Sequence, residues 1–230
     1  MTAWYSIPVV SVLPEATDLS VLTLDVSDTP LAGTHRCPGQ FVRLRLPSVG
    51  KAVFAIASAP EEGQRHWEFL LKHGSSLPDA LVQLAPGARV ESTPPDGKGF
   101  PLQSARGRSL LLFATGSGIS PIRSVIESLR RERKAYGPVT LYFGARTPDS
   151  FAYADELDHW EASGIRVVRT VSRPGASGWQ GLTGYVQSHL IPAPFDDAVA
   201  FVCGQEAMVE GVIEALRAHG LSREAIHLNY

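Results

Sequence analysis

Up to about residue 105 the apolar positions fall in short alternating or β-branched runs cut by turn residues. In GQFVRLRLP, Val42, Leu44 and Leu46 alternate with Arg43 and Arg45, the period of a half-buried strand. VSVLPEATDLSVLTLDV reads as two strands about an acidic turn, and HWEFLLK and ARVESTPP continue the series. Many short strands at such spacing predict an all-β barrel or sandwich. After SARGR the period changes. SLLLFAT is a continuous apolar strand, and PIRSVIESLRRER puts Ile122, Val125, Ile126 and Leu129 on one helical face. Strand VTLYFGA, helix FAYADELDHWEA, strand IRVVRTVS, a loop rich in Gly and Ser and a short helix GYVQSHL follow. Strand AVAFVC, helix EAMVEGVIEALRAHG and a final strand AIHLNY close the chain. Strands alternating with helices predict a parallel sheet covered on both faces. The expected organisation is a β-barrel over residues 1–104 and a doubly wound α/β domain over 105–230, with no internal repeat.

Composition narrows this picture in a few respects. The 230 residues suffice for one large or two ordinary domains, and 44% hydrophobic content can build a core. A net charge of −2 argues against a nucleic-acid partner, which normally meets a basic face. Cys37 and Cys203 are too few and too distant for a disulfide framework or a metal ribbon. The N-terminal MTAWYSIPVV lacks a basic segment before an apolar core, and no apolar run approaches the ~20 residues that span a bilayer. The expectation is a soluble, cytoplasmic protein with no membrane partner. Histidines such as His35 and His159 lack metal-ligand spacing, so no metal is expected and they are read as surface residues. Trp4 and Trp67 are read as packing residues.

In an open parallel sheet, ligands sit at the carboxyl ends of the strands, where strand order reverses. The first such end reads ATGSGISPIRS. Thr115, Gly116, Gly118, Ile119 and Ser120 form a tight turn into a helix, with Ser120 expected as N-cap and Pro121 as the first helical residue. Either the glycines serve turn geometry alone, or the helix N-terminus faces a pyrophosphate. A second end, VCGQEAMV, offers Cys203, Gly204 and Met208; a free Cys is most often a small core hydrophobe. A third offers Ser172 and Arg173, followed by Tyr185, a natural clamp for a phosphate monoester or a solvated loop.

Together these segments resemble the ferredoxin–NADP reductase family. ATGSGISPIRS is similar to its GTGxAP-type segment, VCGQEAMV to its CGP segment, and VSR followed by GYVQ to the segments that hold the NADP 2′-phosphate. The resemblance covers nearly the whole chain. It implies a flavin-binding antiparallel Greek-key barrel followed by a pyridine-nucleotide domain, with FAD taking a hydride from NAD(P)H and passing electrons to an acceptor. It places NADP or NAD across Thr115–Ser120 and Cys203–Met208, with the nicotinamide near Cys203, and it mildly favours NADPH. Two cysteines cannot supply the four thiolates that a [2Fe–2S] cluster takes. The acceptor is therefore expected to be a separate, unidentified species, a redox protein among the options. An electron-transfer flavin subunit of a larger complex, and a non-catalytic nucleotide-binding sensor, stay open as alternatives.

The family's flavin strand reads Arg-x-Tyr-Ser, often followed by Ile-Ala-Ser. Aligned on the Ile-Ala-Ser ending, this chain has Ala52, Phe54 and Ala55 of GKAVFAIASAP in place of the Arg, Tyr and Ser. The resemblance implies that Phe54 stacks on the flavin, that the Ala55 position faces it without a hydroxyl, and that the backbone of Ile56, Ala57 and Ser58 bonds it. LLKHGSSLPDAL resembles the second flavin segment and adds Leu71, Lys72, Gly74, Ser75 and Ser76 to the cofactor site. In plant-type members a terminal aromatic covers the flavin, which implies that Tyr230 is a gate beside the catalytic Cys203.

Overall fold

The computed structural model describes residues 3–229 apart from 63–64, 192–194 and 196. The expectation for Tyr230 lies outside the described residues.

Strands β1 (Tyr5–Ala16), β2 (Leu19–Asp25), β3 (Phe41–Leu46), β4 (Gly50–Ala55), β5 (His66–Lys72) and β6 (Arg89–Ser92) form one antiparallel sheet in the order β4-β3-β6-β1-β2-β5. Strand β1 is long enough to serve two neighbours. Its first half pairs with β6 and the rest with β2, with register shifts at Val9–Ser11 and Pro14–Ala16 that bend it round the barrel. The alternation in β3 is realised: Val42 and Leu44 are fully buried, and Arg45 turns outward to pair with Glu91 and to lie over the Trp4 ring. Trp67 is buried in the barrel core. The two edge strands meet just past the end of β4, where the Ala57 N–H donates to the Glu68 carbonyl at 2.8 Å and the Glu68 N–H to the Ser58 hydroxyl at 3.3 Å. A short helix α1 (Ser76–Val82) covers one opening with Leu77 and Leu81.

The second sheet is wholly parallel, in the order β10-β9-β8-β7-β11-β12. It comprises β7 (Ser109–Thr115), β8 (Val139–Ala145), β9 (Ile165–Val171), β10 (Leu182–Thr183), β11 (Ala198–Cys203) and β12 (Ile226–Leu228). The continuous apolar run in β7 is explained by burial on both faces. Leu110, Leu112 and Ala114 pack toward α2 (Ile119–Arg131) and α3 (Ala154–Ala162), while Leu111 and Phe113 pack toward α4 (Glu206–Ala218). Strand β10 was not foreseen, because two exposed residues carry no period. The expected short helix at GYVQSHL is a single 3-10 turn, Val186–His189.

Helix α2 departs from expectation at its start. A 3-10 turn at Gly116–Gly118 runs directly into it, so Gly118 is the N-cap, and Ser120 and Pro121 lie inside the first turn. Proline is tolerated there because first-turn amides lack intrahelical acceptors. His35 also departs from expectation: it is 3% exposed, with Nε2 bonded to the Cys37 carbonyl at 3.0 Å and Nδ1 without a partner among the described residues.

The two sheets share a core. Leu19, Ala57, Leu70 and Phe100 of the barrel side join Ile119, Ile122 and Phe201 in one apolar cluster. Arg123 is the polar centre of this seam. It donates to both Glu156 carboxylate oxygens at 2.8 Å, to Glu68 at 2.9 Å and to the Ala57 carbonyl at 3.1 Å, and it lies over the Tyr153 ring. A second tie joins the β1–β2 turn to the loop after β8: the Thr17 amide and hydroxyl donate to Asp149 at 3.0 and 3.1 Å.

Candidate active site

Strand order reverses between β7 and β11, because β8 lies on one side of β7 and β11 on the other. The loops leaving these two strands meet in backbone contact. A side chain on Gly118 would put its Cβ 2.5 Å from the Cys203 carbonyl oxygen and 2.8 Å from the Gly204 Cα, and one on Gly204 would collide with the Thr115 hydroxyl. The Gln205 amide donates to that hydroxyl at 3.3 Å. Glycine is required here by close approach. At Gly116 it is required by backbone angle, with φ at +53°.

A cleft of about 1070 Å³ opens at this junction and extends to the barrel. Its barrel wall is Ala52–Ala55 of β4, Leu70 and Lys72 of β5, and the following His73, Gly74 and Ser75. Its far wall holds Thr115, Gly116, Gly118, Ser120, Cys203, Gly204 and Met208, and its outer end Arg146, Ser172 and Tyr185. The three strand ends chosen from sequence therefore face one space, and Phe54 and Ala55 face them from the other sheet.

Several expected cofactor contacts are turned elsewhere. The Ile56 N–H donates to the Gln40 carbonyl at 3.0 Å, and the Ala57 N–H and C=O bond Glu68 and Arg123. The Ser58 carbonyl accepts from the Ser124 hydroxyl at 2.9 Å. Ile56 is buried in the barrel core, and Ala57 and Ser58 are buried between β5 and α2, so none of the three lines the cleft. Leu71 points into the barrel core, and by alternation Leu70 faces the cleft in its place. Ile119, the first residue of α2, is buried in the shared core, and Ser76 and Arg173 stand outside the lining.

Three groups carry the local electrostatics. The Cys203 thiol is pushed up to about 11 by burial, against which a hydrogen bond from the Asn229 side chain works, so it is a neutral thiol near pH 7. Ser120 is buried and donates its hydroxyl to the Ala55 carbonyl at 3.1 Å, which fastens the last residue of β4 to the head of α2. The Gly74 N–H is accepted by the Asp79 carboxylate at 2.9 Å, an acid where the resemblance puts a pyrophosphate contact. The sequence reading missed Arg146, although it directly follows a strand end of the same sheet. It also missed Arg123, whose partners lie 33 and 55 residues away in the chain.

A family profile described as an oxidoreductase NAD-binding domain matches residues 112–214. Ferredoxin–NADP reductase B of Sorangium cellulosum is 35% identical over 206 residues, covering 83% of this chain and 83% of that protein. The chain belongs to the ferredoxin–NADP reductase-like family. Another relative, sulfhydrogenase 1 subunit gamma of Pyrococcus furiosus, is 34% identical over 196 residues, 82% of this chain and 66% of that one. A solved ferredoxin reductase in carbazole 1,9a-dioxygenase superposes with a TM-score of 0.84 at 25% identity, covering 99% of this chain and 69% of its own. This member of the family differs from its flavin-strand pattern at Ala52, Phe54 and Ala55. No helix among the described residues is long and apolar enough to cross a membrane.

Proposed function

We propose that this chain is a flavin-dependent oxidoreductase that uses NAD(P)H as hydride donor and hands electrons to a separate acceptor. The observation that carries the reading is the single cleft walled on one side by β4 and on the other by the two glycine loops of the parallel sheet. We take residues 1–104 as the flavin-binding part and 105–230 as the nucleotide-binding part.

The residues fit a flavin held by shape and stacking more than by charge. Phe54 gives the cleft an aromatic wall, and Ala52 and Ala55 leave width where the family has longer polar side chains. Lys72 and Ser75 are the side-chain donors offered to a pyrophosphate beside Gly74, whose amide is first shared with Asp79. FAD, when bound, supplies a two-electron acceptor that can release electrons singly or in pairs. The chain's part is positional. Ser120 holds the Ala55 carbonyl, the paired glycines let the Cys203 loop and the Thr115 loop share one space, and Arg123 keeps the two sheets in register. Cys203, as an uncharged thiol, offers packing beside the nicotinamide without acting as a nucleophile.

The proposed acceptor is a separate redox protein, and the gamma subunit among the relatives favours a second reading in which the chain works inside a larger assembly. An absorption spectrum tests the main proposal. The purified protein is expected to be yellow and to bleach anaerobically with NAD(P)H. A colourless protein that ignores added FAD would leave only a nucleotide-binding role. Copurification of a partner together with low dye reduction by the isolated chain would favour the subunit reading.

A further inference from the structure

We infer that a second cavity, at the tail of α2, is a binding site for a free amino acid with an apolar side chain. The cavity measures about 420 Å³ and shares no lining residue with the cleft. It opens where the segment before β3, the chain after β4 and the linker between the sheets meet the last turn of α2. Ser120 at the head of α2 lines the cleft and Ser128 lines the cavity, roughly 12 Å further along the same helix.

The walls of the cavity divide by polarity. Pro38, Phe100, Leu102 and Tyr136 are buried and form an apolar floor. Arg36, Glu61, Arg131 and Glu132 are exposed and stand at the rim. Arg131 pairs with Glu62 and Glu132 with Arg106, so those two charges are matched within the protein. The other two are not. Among the described residues the Arg36 guanidinium has no ion-pair or hydrogen-bond partner, and its backbone N–H alone is engaged, donating to Gln40 Oε1 at 2.9 Å. The Glu61 carboxylate has the neutral Ser128 hydroxyl as its one hydrogen-bond donor among them, at 3.0 Å. Both charges line one cavity, yet no ion pair joins them.

An apolar floor beneath one unmatched cation and one unmatched carboxylate is the complement of an α-amino acid. The ligand's carboxylate meets Arg36, its ammonium meets Glu61, and its side chain covers the floor. A simple anion would be opposed by Glu61, and a simple cation by Arg36. Both rim groups are exposed, so water screens each contact. The floor therefore supplies most of the affinity and the two charges supply the selectivity.

Calorimetric titration of the full-length protein with L-phenylalanine tests the site. Binding is expected at ligand concentrations on the order of millimolar. Glycine, phenylpropionate and phenethylamine lack the side chain, the ammonium and the carboxylate in turn, and each should bind at least about fivefold more weakly. Arg36→Ala should weaken phenylalanine and phenylpropionate by about fivefold and spare phenethylamine, while Glu61→Gln should weaken phenylalanine and phenethylamine and spare phenylpropionate. Bound phenylalanine should also slow alkylation of Cys37, a half-buried thiol in the cavity wall, without slowing that of Cys203. Absence of both heat and Cys37 protection, equal affinity for all the compounds, or phenylalanine binding unchanged in both variants would overturn the assignment. Such a failure would leave the oxidoreductase reading intact, since neither Arg36 nor Glu61 lines the cleft.

Discussion

Gly118 and Gly204 lie back to back, so that a methyl group on the first would meet the Cys203 carbonyl and the Gly204 Cα within 2.8 Å. Neither contact atom belongs to a side chain that could swing aside. Gly118→Ala is therefore expected to push the two loops apart, lowering stability by about 1–3 kcal/mol and raising KM for both nicotinamide nucleotides. Gly116→Ala meets open space and strains only its own φ of +53°, a loss of about 1–2 kcal/mol. Urea unfolding of the two variants beside steady-state kinetics separates them. Equal KM values in Gly118→Ala and wild type would show that the contact does not shape the nucleotide site.

Arg123 is the second place where one side chain decides a large contact. Its side chain is 12% exposed and is shared between Glu68 of the barrel and Glu156 of α3. Removing one member of a buried ion cluster leaves the others unpaired, so Arg123→Ala should reduce stability by about 3–5 kcal/mol. Scanning calorimetry provides a sharper check. Wild type is expected to melt in one transition and the variant to show a broadened or split one, because the tie between the sheets is gone. A loss below about 1 kcal/mol would mean that the apolar seam alone holds the halves.

His35 gives an acid-side signature. Burial pushes its imidazole from 6.5 down to about 4, while the Cys37 carbonyl hydrogen-bonded to its ring and the nearby Glu61 work the other way. The folded state therefore resists the proton that the unfolded state takes up near pH 6.5. Stability should fall as pH drops from about 6.5 to about 4, by about 3 kcal/mol from this group. Urea midpoints across that range should fall less steeply in His35→Gln. Parallel curves for the two proteins would show that the ring titrates normally.

The Cys203 thiol acts at the other extreme. Burial raises its pKa from 9 to about 11, so the folded state retains a proton that the unfolded state releases near pH 9. Its contribution to stability is intact below about pH 9 and is lost as pH rises toward 11. Alkylation by iodoacetamide should be slow at pH 8 and accelerate up to about pH 11. Rapid labelling of Cys203 at neutral pH, mapped by peptide mass, would contradict a half-buried neutral thiol.

Flavin affinity should respond to the strand that lost its polar residues. Ala52 lines the cleft, so Ala52→Arg places a cation where the family pattern has one. A roughly tenfold tighter Kd for FAD is expected, as for a charge-assisted contact. Fluorescence quenching of added FAD gives the value, and no gain would argue that the pyrophosphate does not pass β4.

Sequence alone revealed the features set by period or by glycine. The alternation in β3 and the unbroken apolar run of β7 each admit one placement, and the glycines after β7 and at Gly204 mark loops that approach closely. The fate of Ile56, Ala57 and Ser58 was not readable, because a small apolar run looks the same facing a cofactor or a neighbouring helix. The Ser120 hydroxyl was equally ambiguous: N-cap, ligand contact and its actual bond to Ala55 all suit a serine near a helix start. Arg146 escaped notice for a similar reason, since one arginine after a strand gives no sign of whether solvent or a cleft lies before it.

The pairing of Glu68 has a consequence for how this protein could be divided. Its backbone carbonyl closes the barrel through Ala57, while its carboxylate grips Arg123 of the other half. A cut at residue 104 would thus open more than a linker: it would bare Leu19, Leu70 and Phe100 on one fragment and Ile122 and Phe201 on the other. Fragments expressed separately should be insoluble or should reassemble when mixed, making this chain a natural starting point for a split reporter of complementation.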